Sequence, residues 1–414
     1  MLTGRPRLAF LCQTLPFPPD GGVWIRTYHV LRLLAREFDI TALCFERAGS
    51  SGAGDVALSR AALGRFADVE VFAIPQRHSR LRYLWDHSRS VAFGRVYTAY
   101  LYQSRAFRER LDEVLGAKAF QVVHVDSLDL ARYLPACRGL PVVCVHHDVE
   151  STLLRRRADV ERTRWRRAYL RYQARLMEGV ERYWGERVAL NVAVSEADAA
   201  RLRRRAPASR IAVVPNGVDV EEFRPDGTEG AGVAFVGGTS PFPNKDALDF
   251  FCDEVLPHLR RARPRVPVRW IGRASDREQR HYRERHGVEL TGYAADVRPP
   301  MREAACHVVP LRVGGGTRLK VLSSWAMGKP VVSTSLGGEG LATADGVNIL
   351  TRDDPRAFAS AVLAVLGDDG LRRRLGAGGR GTAERLYGWD VVAQPMIEAY
   401  VGLASGARAR GTGT

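Results

Sequence analysis

The sequence predicts an α/β protein built of two doubly wound domains facing a cleft, and three observations lead there. At 414 residues the chain exceeds what one ordinary core organises. Short apolar runs alternate with helical stretches along its length, the pattern of βαβ units around parallel sheets with helices on both faces. The alternation is broken once, at the polar, Gly- and Asp-rich stretch Gly217 to Gly232, which divides the runs into two series.

The first series comprises Arg7 to Cys12, Ile40 to Cys44, Val69 to Ile74, Val122 to Val125, Pro141 to Val145, Ala189 to Val194 and Ile211 to Val214. The second comprises Val233 to Val236, Val268 to Ile271, Val288 to Thr291, Cys306 to Val309, Val331 to Thr334 and Val347 to Leu350. We therefore assign residues 1–218 to a first domain, 219–232 to a linker and 233–389 to a second domain. The last ten residues, Ser405 to Thr414, are Gly, Ala, Arg and Thr after the opening serine and are expected to be disordered.

Composition narrows the function classes. With 45% hydrophobic and 26% charged residues, the chain is an ordinary globular protein. No run approaches the roughly 20 apolar residues that span a bilayer, and the opening residues have no secretory pattern, so a cytoplasmic protein is expected. Six scattered cysteines without a C-x-x-C pair read as structural thiols, and no metal-ligand spacing is present.

The net charge of +16 admits nucleic acid, an anionic membrane surface or phosphorylated substrates as partners. Nucleic acid is disfavoured, because the basic residues lie along helices without interleaved aromatic stacking positions. Nine arginines fall between Arg155 and Arg175, interrupted by Trp165, Tyr169, Tyr172 and Leu176. We read those four as a core stripe on a helix with a basic outer face. The same face is the candidate for peripheral contact with an anionic membrane surface.

The most informative run is Pro310 to Leu341. It reads as a strand end, a glycine loop (Gly314, Gly315, Gly316), a helix capped by Thr317 with Arg318 and Lys320 in its first turn, and a further strand. Residues without Cβ let bare N–H groups approach a ligand, and a helix N-terminus attracts anions. Two cations there oppose the helix dipole unless an anion lies between them. A phosphorylated ligand is the reading that removes the conflict.

This run resembles the donor loop of the retaining "glycosyl transferase group 1" family, GT-B-type glycosyltransferases, in the branch with the pattern P-L-x-x-G-x-G-T-R-x-K. Further stretches resemble the family in the same order: Pro16 to Ala35, His146 to Thr152, Val192 to Arg204, Val213 to Asp219, Val233 to Phe251, Glu289 to Leu311 and Tyr387 to Asp390. The resemblance covers roughly residues 6 to 404. It implies two Rossmann-like domains with a last helix, about 390–404, crossing back onto the first. It also implies a nucleotide diphosphate sugar as donor, no metal and no cofactor, and a glycan, lipid or small-molecule hydroxyl as acceptor.

The resemblance also distributes roles. Gly21 and Gly22, after Pro18-Pro19-Asp20, stand in the loop that closes over the diphosphate. His147 matches the histidine that contacts the donor sugar near its anomeric centre, and imidazole suits that task near neutral pH. Lys245 lies near the family's phosphate lysine, while Gly238 stands where many members carry arginine. Arg273 and Tyr293 fall where the nucleobase is read.

The family's two glutamates, with seven residues between them, are here Gly315 and Ser323. A serine offers one neutral contact where a carboxylate accepts from both ribose hydroxyls. Glu339, in the loop after the next strand, is the candidate to replace it in part. The alternative from another class is a GT-B-fold protein with reduced or no catalysis that serves as a binding or scaffold partner.

Overall fold

The computed structural model describes residues 4–47, 53–74, 79–240, 242–315 and 317–411. Seven parallel strands form the first sheet: β1 (Arg7–Cys12), β2 (Asp39–Phe45), β3 (Asp68–Phe72), β4 (Val122–Val125), β5 (Val142–His146), β6 (Leu190–Ala193) and β7 (Ile211–Val213). Their spatial order is β3-β2-β1-β4-β5-β6-β7. Six more form the second: β8 (Val233–Val236), β9 (Val268–Ile271), β10 (Glu289–Leu290), β11 (Cys306–Val309), β12 (Val331–Ser333) and β13 (Leu350–Thr351). That order is β10-β9-β8-β11-β12-β13, again all parallel.

The strand residues dictate this. β1, β4, β5, β6 and β11 are buried almost throughout, so both faces need cover and no polar alternation survives. Each sheet reverses its winding once, between β1 and β4 in the first and between β8 and β11 in the second. Ligands of doubly wound sheets bind outside the carboxyl ends of strands at such reversals. Every described residue singled out from sequence follows the carboxyl end of a strand: Gly21 after β1, His147 after β5, Lys245 after β8, Arg273 after β9, Tyr293 after β10, Arg318 after β11 and Glu339 after β12.

The chain separates into two units, residues 1–214 with 393–414, and residues 215–392. The stretch 219–232, expected as a linker, is instead packed on the second unit. Val218 N–H donates to Tyr387 at 2.7 Å, Ala231 N–H donates to Glu303 at 2.7 Å, and Lys329 Nζ donates to the Thr228 carbonyl at 2.7 Å. Polar residues here serve as hydrogen-bonding cover and not as a free tether.

The last helix runs Trp389–Gly411, and from Ala393 it belongs to the first unit, where Tyr400 is buried with its hydroxyl 2.7 Å from His124 Nδ1. The expected disordered tail is thus helical through Gly411, since Ala and Arg carry good helix propensity and extend a helix already nucleated. Residues 412–414 lie outside the described residues.

Three further local expectations need correction. The last strand is Leu350–Thr351, because Asn348 is taken up by a turn in which its side chain receives the Ala344 N–H at 2.8 Å. The arginine-rich segment forms two helices, Glu150–Val160 and Arg164–Gly185. The buried stripe of the second is Gln173, Ala174, Met177 and Glu181, while Trp165 is exposed. The stripe shifts because polar Gln173 and Glu181 find buried partners: Gln173 Nε2 donates to Ser90 Oγ at 2.7 Å, and Glu181 accepts from Ser151 Oγ at 2.6 Å. All six cysteines are buried free thiols.

Candidate functional site

In the second unit the loop after β11 is held from below. Thr334 Oγ1 donates to the Leu311 carbonyl at 2.5 Å, and Ser333 Oγ donates to that of Val309 at 3.2 Å. Gly314 has φ +137°, and a Cβ there would come within 2.9 Å of the Arg318 guanidinium, which folds back and donates to the Gly315 carbonyl. The backbone conformation therefore favours glycine at 314, while the overlying guanidinium, at the end of a flexible side chain, could shift. Gly316 lies outside the described residues.

The helix that follows is Leu319–Ala326, and its N-cap is Arg318, whose side chain makes no cap bond. Thr317, expected to cap, sits one residue too early, and its carbonyl instead accepts from Asn216 Nδ2 at 3.2 Å. Lys320 keeps some surface exposure, but its ammonium is enclosed. Nζ donates to Asn244 Oδ1 at 2.7 Å and lies 4.0 Å above the Phe235 ring. Burial, and then Arg318 beside it, push the Lys320 pKa well below that of a free lysine. Two cations thus share a helix N-terminus whose dipole is already positive.

Beside this loop the ends of β8, β9 and β10 form a shelf nearly free of Cβ atoms. Gly237 (φ +151°), Gly272 (φ +146°) and Gly292 (φ +74°) adopt conformations that other residues avoid. A Cβ on Gly238 would come 2.9 Å from the Arg273 carbonyl, so the arginine common here in the family would not fit without a backbone shift. Arg273 stacks 4.2 Å above the Tyr293 ring, which is half-exposed, giving a flat cation–aromatic platform at the shelf's edge.

Asn244 ties the two parts together, since its Nδ2 donates to the Gly238 carbonyl at 2.9 Å while its Oδ1 receives Lys320. Lys245, the residue singled out from sequence, turns the other way. Its Nζ is 2.6 Å from both Asp249 oxygens and 2.5 Å from the Tyr282 hydroxyl.

Ser323 lies one turn beyond Lys320 and is partly exposed. Its neighbours anchor the helix. Ser324 Oγ donates to the Lys320 carbonyl at 2.7 Å, and Trp325 Nε1 donates to that of Asn348 at 2.7 Å, with the indole fully buried. Glu339 is partly buried in the turn after β12. That turn sits directly on the strand ends, since any Cβ on Gly337 would collide with Ser333 Oγ and come 2.5 Å from the Val309 carbonyl.

In the first unit Gly21 is the N-cap of helix Gly22–Leu34, and a Cβ there would come 2.5 Å from the Trp24 ring. The loop before it is pinned: Trp24 Nε1 donates to Thr14 Oγ1 at 3.1 Å, and Arg47 stacks 3.3 Å over that indole, donates to the Pro18 carbonyl at 2.7 Å and pairs with Asp20.

At the same sheet reversal Asp126 follows β4, fully buried, and its carboxylate gathers four side chains. Thr27 Oγ1 donates at 3.0 Å, His147 Nε2 lies at 3.1 Å, and Cys12 Sγ and His124 Nε2 each approach to 3.6 Å. Burial alone would raise the Asp126 pKa, but His147 and His124 overcome it and hold the group well below the usual carboxylate range. An ionised Asp126 only accepts, so the His147 Nε2 that faces it carries a proton. The adjacent His146 is a different residue in kind. It is buried against Asn191 Oδ1 at 3.0 Å, and burial lowers its pKa to about 4.

The residues missed from sequence are Asp126, Thr27, Asn216 and Asn244. Asp126 had one available signal, a carboxylate directly after a fully apolar strand.

Two doubly wound units, the second with glycines and cations gathered where its winding reverses, define a two-domain α/β protein of the doubly wound class. Residues 20–222 match the family model described as Glycosyltransferase Family 4 and residues 230–368 that described as Glycosyl transferases group 1. The chain belongs to the group 1 glycosyltransferases and has their GT-B fold.

Among curated relatives, a phosphatidyl-myo-inositol mannosyltransferase of Mycobacterium leprae is 29% identical over 246 residues, 56% of this chain and 63% of that one. A D-inositol 3-phosphate glycosyltransferase of Xylanimonas cellulosilytica is 44% identical over 77 residues, 18% of each chain. The chain thus spans less than two thirds of the length of these relatives. Among solved structures, HepE of Anabaena bound to UDP superposes with TM-score 0.69 at 16% identity, covering 96% of this chain and 100% of that one. Sucrose-phosphate synthase of Thermosynechococcus elongatus gives 0.71 at 15% identity, covering 97% and 100%.

Proposed function

We propose that this protein is a retaining, metal-independent glycosyltransferase of polysaccharide or glycoconjugate synthesis, moving a hexose-like sugar from a nucleotide diphosphate to a hydroxyl of a glycan, lipid or natural product. The carrying observation is the pairing of Arg318 and Lys320 at one helix N-terminus beside the bare Gly314–Gly315 backbone. In this reading the pyrophosphate resolves the mutual repulsion of the cations and the dipole. When the bond from the sugar's C1 to the phosphate oxygen breaks, the electron pair stays on the diphosphate. Arg318, Lys320 and the helix N–H groups stabilise that charge in place of a metal.

The acceptor oxygen bonds to C1 and its proton passes to the departing diphosphate. His147, fixed by Asp126, accepts from a sugar hydroxyl through Nδ1. The base stacks at Arg273–Tyr293, and Ser323 with Glu339 meets the ribose. Lys245 is left out of the phosphate set, since Asp249 and Tyr282 occupy it.

HepE has been solved with UDP and with UDP-glucose, which supports a nucleotide-sugar donor here. The test is a thermal-shift panel with UDP, GDP, ADP, TDP and their sugars. A ligand at about 100-fold its Kd stabilises by about 2.7 kcal/mol. One nucleotide family is expected to raise the melting temperature, and no shift with any of them would favour the scaffold alternative. In the same assay Glu339→Ala is expected to weaken the stabilising nucleotide by about 1 kcal/mol, the worth of one hydrogen bond. An unchanged shift would remove Glu339 from the ribose site. Contact with an anionic membrane surface is a separate proposal, and of the face the sequence suggested only Arg164 and Arg166 take part in it.

A further inference from the structure

The helix Arg80–Ala92, in the first unit, is folded inside out. Its buried face is polar. Asp86 and Ser90 are the residues turned inward, Asp86 with Arg82 at 3.8 Å and Arg89 at 3.5 Å. Ser90 receives Gln173 Nε2 at 2.7 Å, and His87 Nδ1 meets the Tyr169 hydroxyl at 2.6 Å. These bonds fasten the polar side to helix Arg164–Gly185 and leave the apolar side to solvent. Leu81 is 81% exposed, Leu84 62%, Trp85 64% and Val91 55%, and Phe93, just past the helix, is 68% exposed. Leu81, Leu84, Trp85 and Val91 recur at intervals of three, four and six to seven residues, so they share one helical face. An ordinary surface helix of a globular domain has the reverse arrangement, and a patch of this kind marks a contact.

Charge says which contact. From Ser79 to Tyr97 the chain carries four arginines against one acid, Asp86, which is spent inward. The neighbouring helix adds exposed Arg164 and Arg166 beside Trp165, itself 67% exposed. Because Tyr169 meets His87 and Gln173 meets Ser90, Trp165, one turn earlier, lies toward the Arg80 end.

We propose that helix Arg80–Ala92 lies in the interfacial plane of an anionic phospholipid bilayer, with Leu81, Leu84, Trp85 and Phe93 entering the acyl boundary and Arg80, Arg95, Arg164 and Arg166 meeting lipid phosphates. At 13 residues the helix is too short to span, and among the described residues no helix is long and apolar enough to cross a membrane. A second copy of the chain fits less well, since a twofold contact on this face would bring the same arginines against each other.

The test is co-flotation of the full chain with phosphatidylcholine vesicles, with and without phosphatidylglycerol. The protein is expected to float with the anionic vesicles. Leu84→Glu/Trp85→Glu, at outward positions that leave the buried network intact, is expected to lower partitioning at least about tenfold with an unchanged melting temperature. Arg80→Gln/Arg95→Gln is expected to lower it about fivefold per arginine at low salt.

A wild-type protein that stays soluble with anionic vesicles, or a double-glutamate variant that floats equally well, would overturn the proposal. So would a concentration-dependent dimer, abolished by the double-glutamate change, in a protein that binds no vesicles. Neither assay involves a nucleotide, so failure here leaves the transferase reading untouched, and failure of that reading leaves this one.

Discussion

Replacing Asp126 with asparagine is expected to lower sugar transfer by a factor of about 10² to 10⁴ and to cost about 2–4 kcal/mol of folding stability. The carboxylate is the common acceptor for Thr27, His147 and Cys12, and His124 Nε2 stands 3.6 Å from it. An amide can satisfy only part of that set, and its NH₂ facing His147 would demand an acceptor at Nε2. The ring would then carry its proton on Nδ1, the reverse of the tautomer proposed to meet the sugar. Turnover and thermal unfolding of Asp126→Asn are the measurements, and full activity would remove Asp126 and His147 from the reaction together.

The acid limb supplies an independent check. The native pKa of Asp126 lies below its unfolded value, so the unfolded chain binds more protons in the interval between them. The stabilisation is whole above about pH 4 and fades as pH falls toward the lowered native value. Wild-type protein should therefore lose stability more steeply below pH 4 than the asparagine variant.

Lys320→Ala is expected to weaken nucleotide binding about ten- to a hundredfold, the worth of one charge-assisted contact. Its titration gives a second signature. Enclosure and Arg318 hold the free-state pKa of Lys320 well below 10.5. A pyrophosphate against Nζ favours the ammonium and raises that pKa, so binding at a pH above the lowered value takes up a proton. Affinity should fall as pH rises through that value. Calorimetry in two buffers of different ionisation heat should show the uptake in wild type and none in Lys320→Ala. Without ligand the sign is opposite: the unfolded chain binds more protons than the native one between the lowered pKa and about 10.5, so stability contributed by this residue rises with pH there. Equal nucleotide affinity in the two proteins would exclude Lys320 from the phosphate site.

What the sequence made legible was whatever is local in the chain. The thirteen strands among the described residues lie within a few residues of their apolar runs, and for the inner strands, such as β1, β4, β5, β6 and β11, burial on both faces writes itself as a continuous run. The glycine loop was legible for the same reason, as one contiguous piece. Relations across the chain were not. Thr27, Asp126 and His147 follow three different strands, and only the order of the sheet brings them together.

Neighbour ambiguity explains Lys245. One residue rotates a helix by about 100°, so a phosphate-facing position at 244 or at 245 leaves the same apolar pattern. The inverted helix Arg80–Ala92 is a harder case still. Its amphipathic spacing can be read, but which face turns inward depends on Gln173 and Tyr169, some 80 residues away. Thr317 was misplaced by a single residue, which is the ordinary precision of helix ends.

Trp325 fills the space that Gly379 leaves empty: a Cβ at 379 would come within 2.5 Å of the indole. The two positions therefore form one volume shared between helices Leu319–Ala326 and Asp369–Leu386. Neither can change in size alone without pushing the first helix, and the residues on that helix are Lys320 and Ser323. A mutational path toward a ribose-gripping carboxylate at 323 thus starts from a helix whose seat was fixed by a glycine far along the chain. The order in which 379, 325 and 323 are altered would decide which intermediates still fold.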